Sequence, residues 1–190
     1  MKKYDSDYKT ILSINKKGEQ VRTYEYQGDY YKLPFDSAQM RKFKILFMLT
    51  LAGVILAHIL GGVINNPGMR NFYVAIPYAF AALPIFNLFR SGIRLPIEDR
   101  KYRREEIGVT YERFTNHSLF LLIALGACIL GEVVYLVFFS KGGAGANETY
   151  FLAAESAALA LGLVIYISLK KVVITKVPEE EKTSVAAEAA

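Results

Sequence analysis

Three ionisable side chains lie inside long apolar runs of the sequence, and they are His58, Glu132 and Glu155. A charge at the centre of a membrane helix costs at least about 2.5–3.5 kcal/mol, so such a group should face protein or a wet cavity. An imidazole and two carboxylates could bind a cation or relay protons. They could equally lock the helices together through hydrogen bonds, and Glu155 could instead extend toward the lipid headgroups. The sequence leaves these three interpretations open.

The positions of these residues along their helices predict a single layer. At 1.5 Å per residue, His58 and Glu132 each lie about 20 Å from the inner start of their spans. Glu155 lies about 7–8 Å from the outer start of a span that runs in the opposite direction. Tyr78 in the second span reaches the same depth. The sequence therefore predicts a polar layer in the outer leaflet that contains His58, Tyr78, Glu132 and Glu155.

Four apolar blocks carry these side chains, and the charged residues lie between the blocks. A helix needs about twenty apolar residues to cross a hydrocarbon core of roughly 30 Å, and a helix satisfies its own backbone hydrogen bonds in lipid. We therefore predict an all-α membrane protein, a bundle of four transmembrane helices with a small β-rich cytoplasmic element at the N-terminus. The predicted spans are 45–64, 72–89, 119–139 and 150–169.

Small residues recur at helical spacing in the first and last spans. Such rows let two helices approach closely in a membrane, so the first and fourth spans are predicted to be neighbours. In the second span, Pro77 and Pro84 lie seven residues apart on one face. Each removes a backbone donor, and a bend near Pro77 would open space at the polar layer. The predicted packing residues are Gly53, Ala57, Gly61, Ala154, Ala158 and Gly162.

The basic residues predict how the chain is oriented. Lys and Arg number ten before the first span, then one, seven and one in the successive loops, and four after the last span. By the positive-inside rule, both termini and the middle loop are cytoplasmic, and we expect a multi-pass protein of the plasma membrane. The net charge of +5 is explained by contacts with anionic lipid, so no nucleic acid is expected as a partner.

The segments outside the membrane domain (43–169) differ in character. Within residues 1–42, the turn signal "NKKGE" (15–19) is followed by "QVRTYEYQ", which alternates with period two. This pattern favours a short β-meander, and the alternative is a tyrosine-rich segment lying on the membrane. The alternation of "GVTYERF" (108–114), within the basic cytoplasmic loop 90–118, predicts one more strand. The acidic, Ala-rich end (170–190) is predicted to be a disordered tail.

No sequence motif identifies an enzyme, a cofactor or a metal site. Walker, GxGxxG, GxSxG and HExxH patterns are missing, and the single cysteine, Cys128, excludes a disulfide framework. We expect no catalytic residues and no cofactor. Two function classes remain. One is an accessory or interaction subunit that assembles with itself or with another membrane protein. The alternative is a small proton- or cation-coupled transporter or channel that uses the His/Glu/Glu layer.

Overall fold

Four long helices dominate the computed structural model, which describes residues 4–14, 20–140 and 145–177. Each has a mean hydropathy of 1.7–2.4 and is long and apolar enough to cross a membrane. Each predicted span lies within its helix to one residue, which confirms the four apolar helices expected from the sequence. The helices are α1 (Ser37–Val63), α2 (Phe72–Ile93), α4 (Arg113–Phe138) and α5 (Ala146–Lys170), and α3 (Arg104–Ile107) is a single turn.

The first helix begins well before its apolar run because polar residues cap it. Asp36 Oδ1 accepts a hydrogen bond from Gln39 N at 2.7 Å, and Gln39 Oε1 accepts one from Asp36 N at 3.2 Å. This reciprocal capping box satisfies two backbone donors at the start of a helix. As a result α1 starts at Ser37, eight residues before the predicted span. We call the end of the bundle that holds residues 37, 93, 113 and 170 the terminal end, and the opposite end the distal end.

The helices pack in the order α2, α4, α5, α1. The main contacts are those of α1 with α5, α2 with α4, and α4 with α5, whereas α1 and α2 contact each other less. The prediction that the first and last spans pack against each other is therefore confirmed. Gly131 permits the close approach of α4 to α2, because a Cβ there would lie 2.5 Å from the carbonyl oxygen of Tyr73. The terminal half of the bundle is filled by an apolar core that includes Phe47, Leu51, Val54, Leu88, Phe114, Leu121 and Leu125.

Short strands lie at the terminal end, in two separate sheets. An antiparallel hairpin joins β1 (Tyr8–Ile14) and β2 (Gln20–Tyr26). The third strand, β3 (Tyr30–Lys32), does not extend this hairpin into the predicted meander. It lies between β4 (Tyr102–Arg103) and β5 (Thr175–Lys176) and pairs with both in the antiparallel sense.

The predicted strand at 108–114 is wrong, because this segment is helical. Helix α3 continues through a π-helical turn at Gly108–Glu112 directly into α4. The buried side chains of Ile107, Tyr111 and Phe114 explain the result, since their spacing of four and three residues is that of one helix face. The period-two alternation in the same stretch was the weaker signal.

The segment after α5 begins with structure that its composition did not indicate. Residues 175–176 form β5, and Val177 N donates to Tyr30 O at 2.9 Å. Lys176 Nζ lies 2.7 Å from Asp29 Oδ2, and Val177 is buried. The rest of the predicted tail, residues 178–190, lies outside the described residues, as does the predicted turn at 15–19.

Candidate functional site

His58 and Glu155 form a buried pair between α1 and α5. The Nδ1 atom of His58 lies 3.2 Å from each carboxylate oxygen of Glu155. The Glu155 side chain has no solvent exposure, and the His58 side chain is 9% exposed. The structure therefore brings together two of the residues that the sequence placed in one layer, and Glu155 does not extend to the surface.

Tyr78 completes this cluster from α2. Its ring stacks on the His58 imidazole with a centroid distance of 4.1 Å and an interplanar angle of 25°. Its hydroxyl donates to the backbone carbonyl of His58 at 2.7 Å. Helices α1, α2 and α5 are thus joined around one imidazole, whose orientation is fixed by a ring on one side and a carboxylate on the other.

Two glycines of α1 make room for the cluster. A Cβ at Gly61 would lie 2.6 Å from Glu155 Oε1, and a Cβ at Gly62 would lie 2.1 Å from the Tyr78 hydroxyl oxygen. Both separations are below van der Waals contact, so a larger residue at either position would have to displace a polar group of the site. The sequence had predicted Gly61 as a packing residue, whereas the role of Gly62 became visible only in the structure.

Glu132 is buried apart from this pair. Its side chain has no exposure, and neither carboxylate oxygen has a hydrogen-bond partner among the described residues. The carboxylate lies against the segment that joins α1 to α2, because a Cβ at Gly68 would be 2.1 Å from Glu132 Oε2. The predicted four-residue layer is therefore divided into a His58–Glu155–Tyr78 cluster and a separate Glu132 carboxylate.

Two polar residues near the distal end were missed by the sequence analysis. Asn66 is buried, and its Oδ1 accepts from Gly68 N at 2.9 Å. Its side chain also faces the Glu132 carboxylate, although the two groups form no hydrogen bond of ordinary geometry. Glu148 is also buried, in the first turn of α5, where a carboxylate interacts favourably with the helix dipole. The Asn-Pro-Gly sequence at 66–68 was the available signal, since an Asn before a Pro at a helix start is a typical cap.

The predicted packing residues contribute unequally. Gly53 lies against Leu161 of α5, because a Cβ at Gly53 would be 3.0 Å from the Leu161 Cδ1. Ala158 is fully buried, Ala57 packs against the apolar core, and Ala154 is half-buried. A Cβ at Gly162 would instead meet Leu121 and Leu122 of α4. The row on α5 therefore serves two interfaces, with α1 and with α4.

The geometry limits the chemistry that the cluster can support. Among the described residues, no group of three or more His, Cys, Asp or Glu side chains is placed to hold a metal ion. The imidazole and its paired carboxylate can share a proton, and the Glu132 carboxylate can take one. Toward the terminal end, the polar cluster is followed by the buried aromatic and aliphatic side chains of the core, among them Val54 and Leu51.

Comparison with known proteins gives no family for this chain. No protein-family model, no curated protein and no solved structure matches it.

Proposed function

We propose that the chain is a multi-pass protein of the plasma membrane, with both termini in the cytoplasm, that acts as an accessory or interaction subunit of a membrane assembly. The alternation of Lys and Arg counts along the sequence supports this orientation. In this orientation the terminal end, with its two sheets and its basic surface, is exposed to the cytoplasm. The polar cluster then lies in the outer half of the bundle.

The observation that carries the proposal is the apolar core of the terminal half. Phe47, Leu51 and Val54 of α1 pack against Phe114, Leu121 and other side chains of the same cluster, and all are buried. This core lies between the polar cluster and the terminal end, and hydrophobic side chains fill it. The arrangement supports a role other than ion transport through a single copy.

His58 and Glu155 are hydrogen-bonded to each other inside the bundle, and this pairing supports the same proposal. A buried ion pair or hydrogen bond joining three helices fixes their relative positions, as expected for a polar lock in a membrane bundle. The surface around the bundle is rich in exposed aliphatic and aromatic side chains, for example Leu56, Leu83 and Leu130. This surface would contact lipid, a second copy or another membrane protein.

A proton- or cation-coupled transporter is the second candidate, and Glu132 is the observation that favours it. A buried carboxylate with two unpartnered oxygens is a site where a proton or a cation could bind. In an oligomer, a path could use surfaces between copies and would not need to pass through the core of one chain.

Flux measurement on the reconstituted full-length protein separates the two candidates. We would compare wild type, E132Q and the matched control E98Q, which changes an exposed carboxylate at the terminal end. Proton flux would be followed with an entrapped pH dye, and the oligomeric state by light scattering coupled to gel filtration. We expect wild-type liposomes to conduct no faster than empty ones, and E132Q to alter assembly or nothing.

The accessory proposal would be contradicted by one clear pattern. Wild-type flux above the empty-liposome background, lost in E132Q and kept in E98Q with assembly unchanged, would make transport the function. Equal flux and equal pH dependence in wild type and E132Q would instead exclude Glu132 as a coupling residue.

A further inference from the structure

A basic hollow lies at the terminal end, between the last turns of α2 and the start of α4. It has a volume of about 120 Å³ and is separate from the polar cluster around His58. Four basic side chains line it, from both helices: Arg90, Arg94, Arg113 and His117. Asn87 and Ser91 add an amide and a hydroxyl to the same wall.

The three arginines of this hollow are exposed, and their guanidinium groups form no salt bridge with a described residue, although other arginines at this end do. An adjoining hollow also contains Arg94, and it is lined by Glu105, whose Oε2 accepts from the Tyr8 hydroxyl at 3.0 Å, and by Glu106. The Glu106 carboxylate is already engaged, because Arg100 Nη2 lies 2.6 Å from Glu106 Oε1 and Arg103 N donates to Glu106 Oε2 at 2.9 Å.

Orientation of the chain does not account for this arrangement. The positive-inside rule requires basic residues in a loop, and any spacing on the surface satisfies it. Here three arginines from two helices border one concave space together with neutral hydrogen-bond donors. Like charges repel when they are brought together, so the cluster is most stable when an anion occupies the space between them.

We propose that this hollow binds a phosphate group. A guanidinium presents a planar fork of donors that matches phosphate oxygens in bidentate geometry, and several such forks around one centre form a phosphate site. Basic pockets between membrane helices at the headgroup level bind anionic lipid heads. The hollow occupies that level, at the ends of two helices long enough to cross the membrane, so an anionic phospholipid is the favoured source of the phosphate. A free phosphate or phosphate ester in solution is the other source.

The test uses the purified full chain in detergent, with two probes. Phosphatidic acid and phosphatidylcholine are titrated separately, and bound lipid is counted by native mass spectrometry. Inorganic phosphate is titrated against chloride at equal ionic strength, with the midpoint of thermal unfolding as the readout. Removal of two charges in R90Q/R113Q is compared with R41Q/K42Q, which removes two charges from exposed positions of the same end outside the hollow.

We expect preferential binding of phosphatidic acid that weakens by about tenfold or more in R90Q/R113Q, because two charge-assisted hydrogen-bonding groups are lost. The control R41Q/K42Q should remain within about twofold of wild type, since these two side chains are exposed like Arg90 and Arg113 but do not border the hollow. If phosphatidic acid binds and inorganic phosphate does not shift the unfolding midpoint, the site is assigned to a lipid headgroup. A shift of the unfolding midpoint by inorganic phosphate, with competition against the lipid, assigns it to soluble phosphate as well.

Two results would overturn the proposal. One is equal affinity for phosphatidic acid and phosphatidylcholine together with no effect of inorganic phosphate. The other is an equal loss in R90Q/R113Q and R41Q/K42Q, which would show attraction by the surface as a whole. If R90Q/R113Q is not monodisperse, R90K/R113K replaces it. That variant keeps both charges but loses the bidentate fork, so unchanged affinity would also contradict the proposed site.

Discussion

The hydrogen bond between His58 and Glu155 can be measured directly with a double-mutant cycle. The perturbations are H58F, E155M and the double variant, which replace the pair by apolar side chains of similar size. Each single change leaves one buried polar group without its partner, and such an orphaned group costs about 1–3 kcal/mol. The double change removes both groups and should cost less than the two single changes together.

The structure sets the expected size of the coupling. His58 Nδ1 is 3.2 Å from both oxygens of Glu155, which is longer than the roughly 2.7–2.9 Å of a strong charge-assisted bond and is shared between two acceptors. Interhelical polar pairs in membranes average about 0.6 kcal/mol and reach about 1.7 kcal/mol. We therefore expect a coupling free energy of about 0.6–1.7 kcal/mol, near the upper end because both side chains are buried.

Unfolding in mixed micelles of mild detergent and dodecyl sulfate provides the assay, with helicity by circular dichroism as the readout. The four proteins are compared over the same range of dodecyl sulfate mole fractions. The H58F variant keeps an aromatic ring that can stack on Tyr78, so that the loss of ring packing does not dominate the result. If the changes in unfolding free energy of H58F and E155M sum to that of the double variant within about 0.3–0.5 kcal/mol, the two residues do not interact. That result would refute the central contact of the cluster.

Three further predictions concern single positions. The E132M variant should have a free energy of unfolding about 1–3 kcal/mol higher than that of wild type in the same assay, because it removes a buried carboxyl whose oxygens accept no hydrogen bond. A lower free energy of unfolding in E132M would show that Glu132 is satisfied in the folded chain. The G62A variant should displace the Tyr78 hydroxyl from the His58 carbonyl and destabilise the bundle to the same extent as Y78F, within about 0.5 kcal/mol; full additivity of G62A and Y78F would contradict this. Burial raises the pKa of the Tyr111 hydroxyl above its ordinary value of 10.0, so folding stability that is present below pH 10 should fall as the pH rises further. The Y111F variant should lose less stability than wild type when unfolding is compared between pH 9 and 11, whereas other buried tyrosines such as Tyr102 still contribute to the loss in both proteins. An identical pH profile in both proteins would refute the assignment.

The sequence predicted the helices better than it predicted the site. Apolar runs fix the four spans, because only a helix satisfies its backbone in lipid. Helix α1 starts eight residues before its predicted span because a capping box extends it beyond the apolar run, and the "DSAQ" stretch at 36–39 was the readable signal for that start. At 108–114 a strand pattern and a helix pattern coincided, and burial of Tyr111 and Phe114 on one face decided for the helix.

Depth along a helix could be counted from the sequence, whereas rotation about the helix axis could not. His58, Glu132 and Glu155 were assigned one depth, and two of them meet. Glu132 turns toward Gly68 because packing of α4 against α2, through Gly131, sets the rotation of α4. The basic hollow was hidden for the same reason, since the seven arginines and lysines of the middle loop were counted in sequence without knowing that three of them converge.

The sheet at the terminal end has a consequence for biosynthesis. Strand β3 precedes the four long helices in the chain, but its two neighbours are synthesised later, β4 after the second long helix and β5 after the fourth. One edge of β3 therefore stays unpaired until residues 102–103 have been made and the other until residues 175–176 have been made, and an open edge invites pairing with other chains. Closure of the sheet requires that all four helices have been delivered to the bilayer with their ends on the correct sides. A chain that stalls, or that inserts one helix in reverse, would therefore keep an edge of β3 open, whereas a finished chain has both edges paired.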